Sequence, residues 1–233
     1  MKILSIETSC DETAVAVLEV SGKKEPRFRV RQNVLASQIE THRPFGGVVP
    51  HLAAREHAKN LPILTKEVLK REPKVDLITA TKGPGLLPAL VVGVTFAKML
   101  AATSQRPIVG VNHLEGHIYS NWLERRAQSL KAKSAKLKAV KFPALCLIVS
   151  GGHTQLILMK NHGAYELLGE TRDDAAGEAF DKVARMLRLG YPGGPEISRF
   201  AKKGNPDAIA FPRPMMHTKD FEFSFSGLKS AVR

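Results

Sequence analysis

The sequence predicts an α/β chain in which one unit, three strands and then a helix, occurs twice. Three observations predict it. Residues 2–9 and 13–20 are strand-like runs joined by the short acidic turn Cys10-Asp11-Glu12, and residues 27–36 read as a third strand. Residues 143–150 and 154–160 repeat this around Gly151-Gly152-His153, with 165–169 as the third strand. A helical pattern follows each triplet, at 51–71 in the first copy and from Asp173 or Asp174 to about 189 in the second. No residue-level repeat accompanies the repeated topology, so the expectation is two related lobes facing a cleft, 1–112 and 113–233.

Within the first copy, Leu52, Leu61, Leu64 and Val68 recur at helical spacing, and Pro62 is placed to kink that helix. Residues 75–81 read as a strand. Gly83-Pro84-Gly85 is a loop where backbone can approach a ligand, and 87–102 is a nearly all-apolar, buried helix. Residues 108–111 form a short buried-strand run that breaks at Asn112. Asn112 is a good helix N-cap, and Glu115 three residues on completes a capping-box pattern, so a helix starts at His113.

His113 and His117 are then four apart on one helix face, close enough to share a metal ion. A strand end running into a helix start is also where open α/β sheets place ligands. The plain alternative is two surface histidines with Glu115 only a cap. A zinc peptidase has the same histidine spacing, but its glutamate directly follows the first histidine. Here Glu115 sits two places on, about 200° round the helix, and points away from the metal face.

In the second copy, the glycines of the turn after Val149 allow backbone N–H groups to face an anion, and Ser150 adds a hydroxyl. The matching turn of the first copy, with Asp11, is acidic, which suits orienting an attacking amine or a metal-bound group beside phosphates. Both turns also read as ordinary hairpin turns. Glu178 and Lys182 are spaced as an i,i+4 ion pair, and Asp181 is placed to accept from ribose hydroxyls. Tyr191-Pro-Gly-Gly-Pro195 is a loop fit for close backbone contact with a nucleotide.

The composition bounds the partners. A formal net charge of +13 with 43% hydrophobic residues describes a globular chain that attracts polyanions, nucleic acid first among them. Residues 125–141 are rich in lysine and arginine and contain no acid. No apolar run approaches a membrane span, and no signal peptide opens the chain. Cys10 and Cys146 have no metal-type spacing and do not form a disulfide framework, so a reducing, cytoplasmic location is expected.

Taken together and in order, the motifs are more specific than any one alone. They are Ile6-Glu-Thr-Ser-Cys-Asp-Glu-Thr13, Gly46-Gly-Val-Val-Pro50, Gly83-Pro-Gly85, Asn112-His-Leu-Glu-Gly-His117, Val149-Ser-Gly-Gly-His-Thr-Gln155, the run from Asp173 to Lys182, Tyr191-Pro-Gly-Gly194 and Phe223-Ser-Phe-Ser-Gly-Leu-Lys229. With them the chain closely resembles, over almost its whole length, the bacterial tRNA adenosine threonylcarbamoyltransferases. That family was formerly labelled O-sialoglycoprotein endopeptidase and has the fold of actin, Hsp70 and the sugar kinases.

The resemblance implies transfer of threonylcarbamoyl from threonylcarbamoyl-AMP to the exocyclic amine of the adenosine beside the anticodon. It implies that His113 and His117 hold an iron or zinc ion. Ile148, Val149, Ser150, Gly151 and Gly152 then bind the nucleotide's phosphates, Asp181 and Gly194 lie nearer its ribose and base, and Asp11 lies at the reaction centre. The partners it implies are tRNA, an actin-fold paralogue and a small ATPase, with no membrane. Two departures from the family are expected. The connection at 125–141 is longer and more basic than its counterpart. The family also continues past the Phe223–Lys229 motif with a nucleotide-contacting asparagine and an aspartate metal ligand, so the second lobe is expected to be incomplete. The competing reading is a nucleotide-binding scaffold without catalysis, or an inactive fragment of the enzyme; His113, His117 and Asp11 speak against a scaffold, and the missing carboxylate speaks for it.

Overall fold

The computed structural model describes residues 1–22, 27–122 and 141–233, and the basic run at 125–141 lies outside them except for Lys141. Two compact units divide the chain: Met1–His42 with Val48–Ala139, and Arg43–Gly47 with Val140–Arg233. The boundary expected after residue 112 therefore falls inside the first unit. The reason is local: the helix that begins at His113 continues straight from a strand and packs against that strand and its neighbour.

The first unit holds β1 (Lys2–Glu7), β2 (Glu12–Ser21) and β3 (Arg27–Ser37) as an antiparallel meander, with β4 (Leu77–Gly83) and β5 (Ile108–Asn112) added parallel to β1. The sheet order is β3-β2-β1-β4-β5. Alternation aligns β1 with β2, since Leu4 lies opposite Val17 and Ile6 opposite Val15, all four buried. Ile78, Ala80, Leu61, Val68 and Ala97 complete that core. A short α1 (Ile39–His42) follows β3. Then α2 (Pro50–Arg71) starts with Pro50 at its first turn after an extended Val49, where a missing N–H costs nothing. Pro62 lies inside α2.

Two expectations about burial are corrected. The helix α3 (Leu87–Ser104) is buried only along Ala89, Leu90, Gly93, Ala97 and Ala101, while Leu87, Val91 and Met99 are exposed. By length and composition this helix is also apolar enough to cross a membrane, contrary to the expectation that no run is. Its small-residue stripe nonetheless packs on the sheet, with the Thr8 hydroxyl donating to Ala89 O at 3.0 Å. Likewise β5 is not a buried strand: Ile108 and Val109 are exposed at the sheet edge, where β4 is its one partner among the described residues.

The second unit repeats the meander as β6 (Ala144–Val149), β7 (Thr154–Asn161) and β8 (Ala164–Glu170), in the order β6-β7-β8. The helices α5 (Ala176–Met186), α6 (Gly193–Ala201) and α7 (Ser226–Ala231) follow it, after α4 (His113–Tyr119) of the first unit. The strand-strand-strand-helix unit expected to occur twice in an α/β chain is thus present, with five described strands in the first sheet and three in the second. One local expectation fails. Neither Asp173 nor Asp174 caps α5, whose N-cap is Ala175 without a side-chain bond. Its buried positions are Ala176, Ala179 and Ala184, whereas Phe180 and, just past its end, Leu187 are exposed.

Candidate metal and nucleotide sites

The end of β5 delivers the histidines as the sequence predicts. Asn112 Oδ1 accepts from Leu114 N at 2.8 Å and Glu115 N at 3.3 Å, starting α4 at His113. His113 Nε2 and His117 Nε2 are 3.1 Å apart, with the rings nearly perpendicular at 83°. Two metal–nitrogen bonds of about 2.05 Å at a tetrahedral angle put the nitrogens roughly 3.3 Å apart, so the pair fits one shared ion. Among the described residues no third His, Cys, Asp or Glu joins them in a group able to hold a metal.

Behind the pair lies a residue that sequence reasoning missed. Glu7, the last residue of β1, places Oε2 3.2 Å from His113 Nδ1, and Ser9 Oγ lies at the same distance from that nitrogen. Burial pushes the Glu7 carboxyl up, but bonds from His113, Ser9 and Thr81 more than offset it, and the pKa falls to about 2. An ionised Glu7 keeps the His113 proton on Nδ1 and turns the Nε2 lone pair toward His117. Carboxylates hold metal-binding imidazoles in this way. Glu7 belongs to the Ile6–Thr13 motif, but nothing local pairs it with a residue 106 places on.

The acidic turn is continuous with this cluster, because Ser9 begins it. Asp11 is half-buried and its carbonyl accepts from Gln38 N at 3.0 Å. Cys10 is exposed at the turn, yet partial desolvation of its thiol, reinforced by the charges of Asp11 and Glu7, pushes it up to about 12, which disfavours the thiolate. The Gly83-Pro84-Gly85 loop, expected to let backbone approach a ligand, instead approaches the backbone of this turn: Leu86 N donates to Ser9 O at 2.7 Å. A Cβ on Gly85 would lie 2.5 Å from the same oxygen.

In the second unit, the turn between β6 and β7 is tighter than the sequence suggests. Ser150 Oγ accepts from Gly152 N at 3.2 Å and His153 N at 3.0 Å, so one of the glycine N–H groups expected to face an anion, that of Gly152, is used inside the turn. Gly151 and Gly152 remain exposed with open space around them, and Ile148 is buried beneath. The α5 N-terminus is fastened to this turn by Gly177 N donating to Ser150 O at 3.0 Å. A Cβ there would sit 2.6 Å from that oxygen, which explains the glycine. Asp181, one turn on along the same face, uses Oδ1 to accept Gly193 N at 2.7 Å at the start of α6. The structure therefore brings the Ser150 turn, Asp181 and Gly194 together around α5, with Asp181 already engaged through one oxygen.

The aspartates before α5 have another role. Asp173 caps α7, accepting from Phe225 N at 2.7 Å, Ser226 N at 3.2 Å and the Ser224 hydroxyl at 2.5 Å. Asp174 takes Lys182 at 2.6 Å on one oxygen and Lys229 at 2.5 Å on the other. Phe223 meanwhile bridges to Thr171 beyond β8. Asp173 and Asp174 thus tie the Phe223–Lys229 motif to α5. Glu178 pairs with Lys182 at 2.7 Å, as its spacing predicts.

Comparison with known proteins identifies the family. Residues 29–233 match the family described as tRNA N6-adenosine threonylcarbamoyltransferase. The chain is 51% identical over 237 residues to the enzyme of that name from Clostridium novyi, covering all of this chain and 64% of the relative. It is 49% identical to that from Thermosipho africanus, covering 66% of it. Among solved structures, the Aquifex aeolicus Ppx/GppA enzyme matches 87% of this chain and 61% of its own at 13% identity and TM-score 0.43. YeaZ from Pseudomonas aeruginosa matches 71% of this chain and 63% of its own at 16% identity and TM-score 0.39. The chain spans 64% of the length of its Clostridium relatives, and it belongs to the tRNA N6-adenosine threonylcarbamoyltransferase family.

Proposed function

We propose that this chain carries the metal pair, the phosphate turn and the acidic turn of a tRNA threonylcarbamoyltransferase. It moves threonylcarbamoyl from threonylcarbamoyl-AMP to the exocyclic amine of the adenosine beside the anticodon. The observation that carries the reading is the His113–His117 pair, 3.1 Å apart, backed by Glu7 and joined through Ser9 to the Asp11 turn. A scaffold that only binds nucleotide has no use for an oriented imidazole pair with a carboxylate behind it.

In this reading His113 and His117 hold an iron or zinc ion, and the ion, when bound, polarises the threonylcarbamoyl carbonyl as a Lewis acid. Ile148, Val149, Ser150, Gly151 and Gly152 receive the phosphate of the AMP moiety. The second oxygen of Asp181 accepts from the ribose, and Gly194 lets the base approach the backbone. Asp11 orients the adenosine amine and accepts its proton as the new C–N bond forms, while AMP leaves with the electron pair of the bond that breaks. The net positive charge draws tRNA toward the chain, and an actin-fold paralogue and a small ATPase complete the system in the cytoplasm. The second reading, a nucleotide-binding scaffold, draws on the two-histidine count of ligands among the described residues.

The test is calorimetric binding of a non-hydrolysable threonylcarbamoyl-AMP analogue. Asp181→Ala should weaken it about tenfold or more by removing the ribose acceptor and releasing the start of α6. Unchanged binding would place the nucleotide elsewhere.

A further inference from the structure

We propose that His42, Gln38 and His57 form a buried hydrogen-bond chain that sets the direction of the Asp11 carboxylate, which makes His57 a positioning residue. The proposal rests on the reading of Asp11 as a group at the reaction centre. Both histidines and Thr13 are 0% exposed and Gln38 is 2% exposed. His57 lies between Ala53 and Leu61 on the buried stripe of α2, where an apolar side chain would pack without any polar group to satisfy.

The donors and acceptors fix one direction along the chain. Val49 N–H donates to His42 Nδ1 at 3.3 Å, so that nitrogen is unprotonated and the ring proton is on Nε2. His42 Nε2 donates it to Gln38 Oε1 at 3.0 Å, which turns the Gln38 amide nitrogen toward Ala53 O at 3.4 Å and His57 Nδ1 at 3.2 Å. The Thr13 hydroxyl also donates to His57 Nδ1, at 2.8 Å. His57 must then carry its proton on Nε2, which donates to Cys10 O at 3.0 Å.

The chain ends on the carbonyl immediately before Asp11, and the Gln38 backbone N–H holds the Asp11 carbonyl at 3.0 Å. Because peptide groups are planar, holding both carbonyls fixes the peptide planes on either side of the Asp11 Cα. The direction of its Cα–Cβ bond follows. A hairpin turn needs no such support, and a carboxylate that must meet an incoming amine does.

The test is nuclear magnetic resonance on the whole chain, independent of activity. Nitrogen-15 spectra should show both rings neutral with the proton on Nε2. His57→Asn keeps an acceptor near Nδ1 but loses the donor to Cys10. It should shift the Asp11 carboxyl carbon resonance and speed amide exchange at Gln38 about tenfold, the effect of removing one buried hydrogen bond. Exchange at Ile78, which donates to Pro107 O in another part of the sheet, should be unchanged. His57→Gln, which retains a donor near Nε2, should restore both signals. A His57 proton on Nδ1, equal acceleration at Gln38 and Ile78, or no rescue by glutamine would overturn the proposal. Metal content at His113 and His117 should be the same in both variants, so failure of the transferase reading is detected separately.

Discussion

Glu7 Oε2 and His113 Nδ1 lie 3.2 Å apart, joining the end of the first strand to the start of the helix that carries the histidine pair. The contact selects the His113 tautomer and sets a carboxylate charge behind the site. Glu7→Gln should preserve the fold and weaken metal affinity about 10–100-fold, read by competition with a chelating dye. The carboxyl pKa of about 2 lies below the unfolded value of about 4.3. A lowered carboxyl stabilises the fold fully above the unfolded value and loses that contribution as pH falls toward 2. Acid unfolding of the Gln variant should accordingly be shallower than that of the parent between about pH 4.3 and 2.

Asp174 holds Lys182 and Lys229 on separate oxygens, and its carboxyl is lowered: burial raises it, and the two lysines more than offset that. Asp174→Asn should cost about 2 kcal/mol and free α7, seen as faster amide exchange at Phe225 and Ser226. By the same sign rule, the parent should hold α7 above the ordinary aspartate pKa and release it only in stronger acid. Exchange at those amides measured from neutral pH downward checks this.

Gly177 admits no side chain beside Ser150. Gly177→Val should separate α5 from the β6–β7 turn and lower affinity for the threonylcarbamoyl-AMP analogue at least tenfold, while the first unit keeps its thermal transition. Calorimetry on the two proteins side by side reads both effects.

Residues 125–141 are expected to meet tRNA phosphates. Replacing Lys131, Lys133, Lys136 and Lys138 with glutamine should flatten the log–log salt dependence of tRNA binding by about 0.7–0.9 for each phosphate no longer neutralised. The melting temperature should barely move, and an unchanged slope would leave the segment a solvated connection.

Local signals carry much of the architecture. Alternating runs mark the strands, and the Asn112 cap places α4, because both depend on neighbours within a turn or two. What is not legible depends on long-range pairing. Nothing near Glu7 announces His113. His57 looks like one polar residue in an amphipathic helix until the buried stripe of α2 is fixed by packing. An aspartate before a helical run reads as the cap of that helix, because capping is its local use, yet Asp173 caps α7 instead. Apolar content alone overstates the burial of α3 and β5, since burial is set by which face meets the sheet.

The most direct test of the account is the metal content of the purified chain and of the His113→Ala/His117→Ala double variant, measured by plasma mass spectrometry after dialysis against a matched chelator buffer. Iron or zinc is expected in the parent and lost in the variant, with the thermal transition of the second unit unchanged. Equal metal in the two proteins would contradict this expectation.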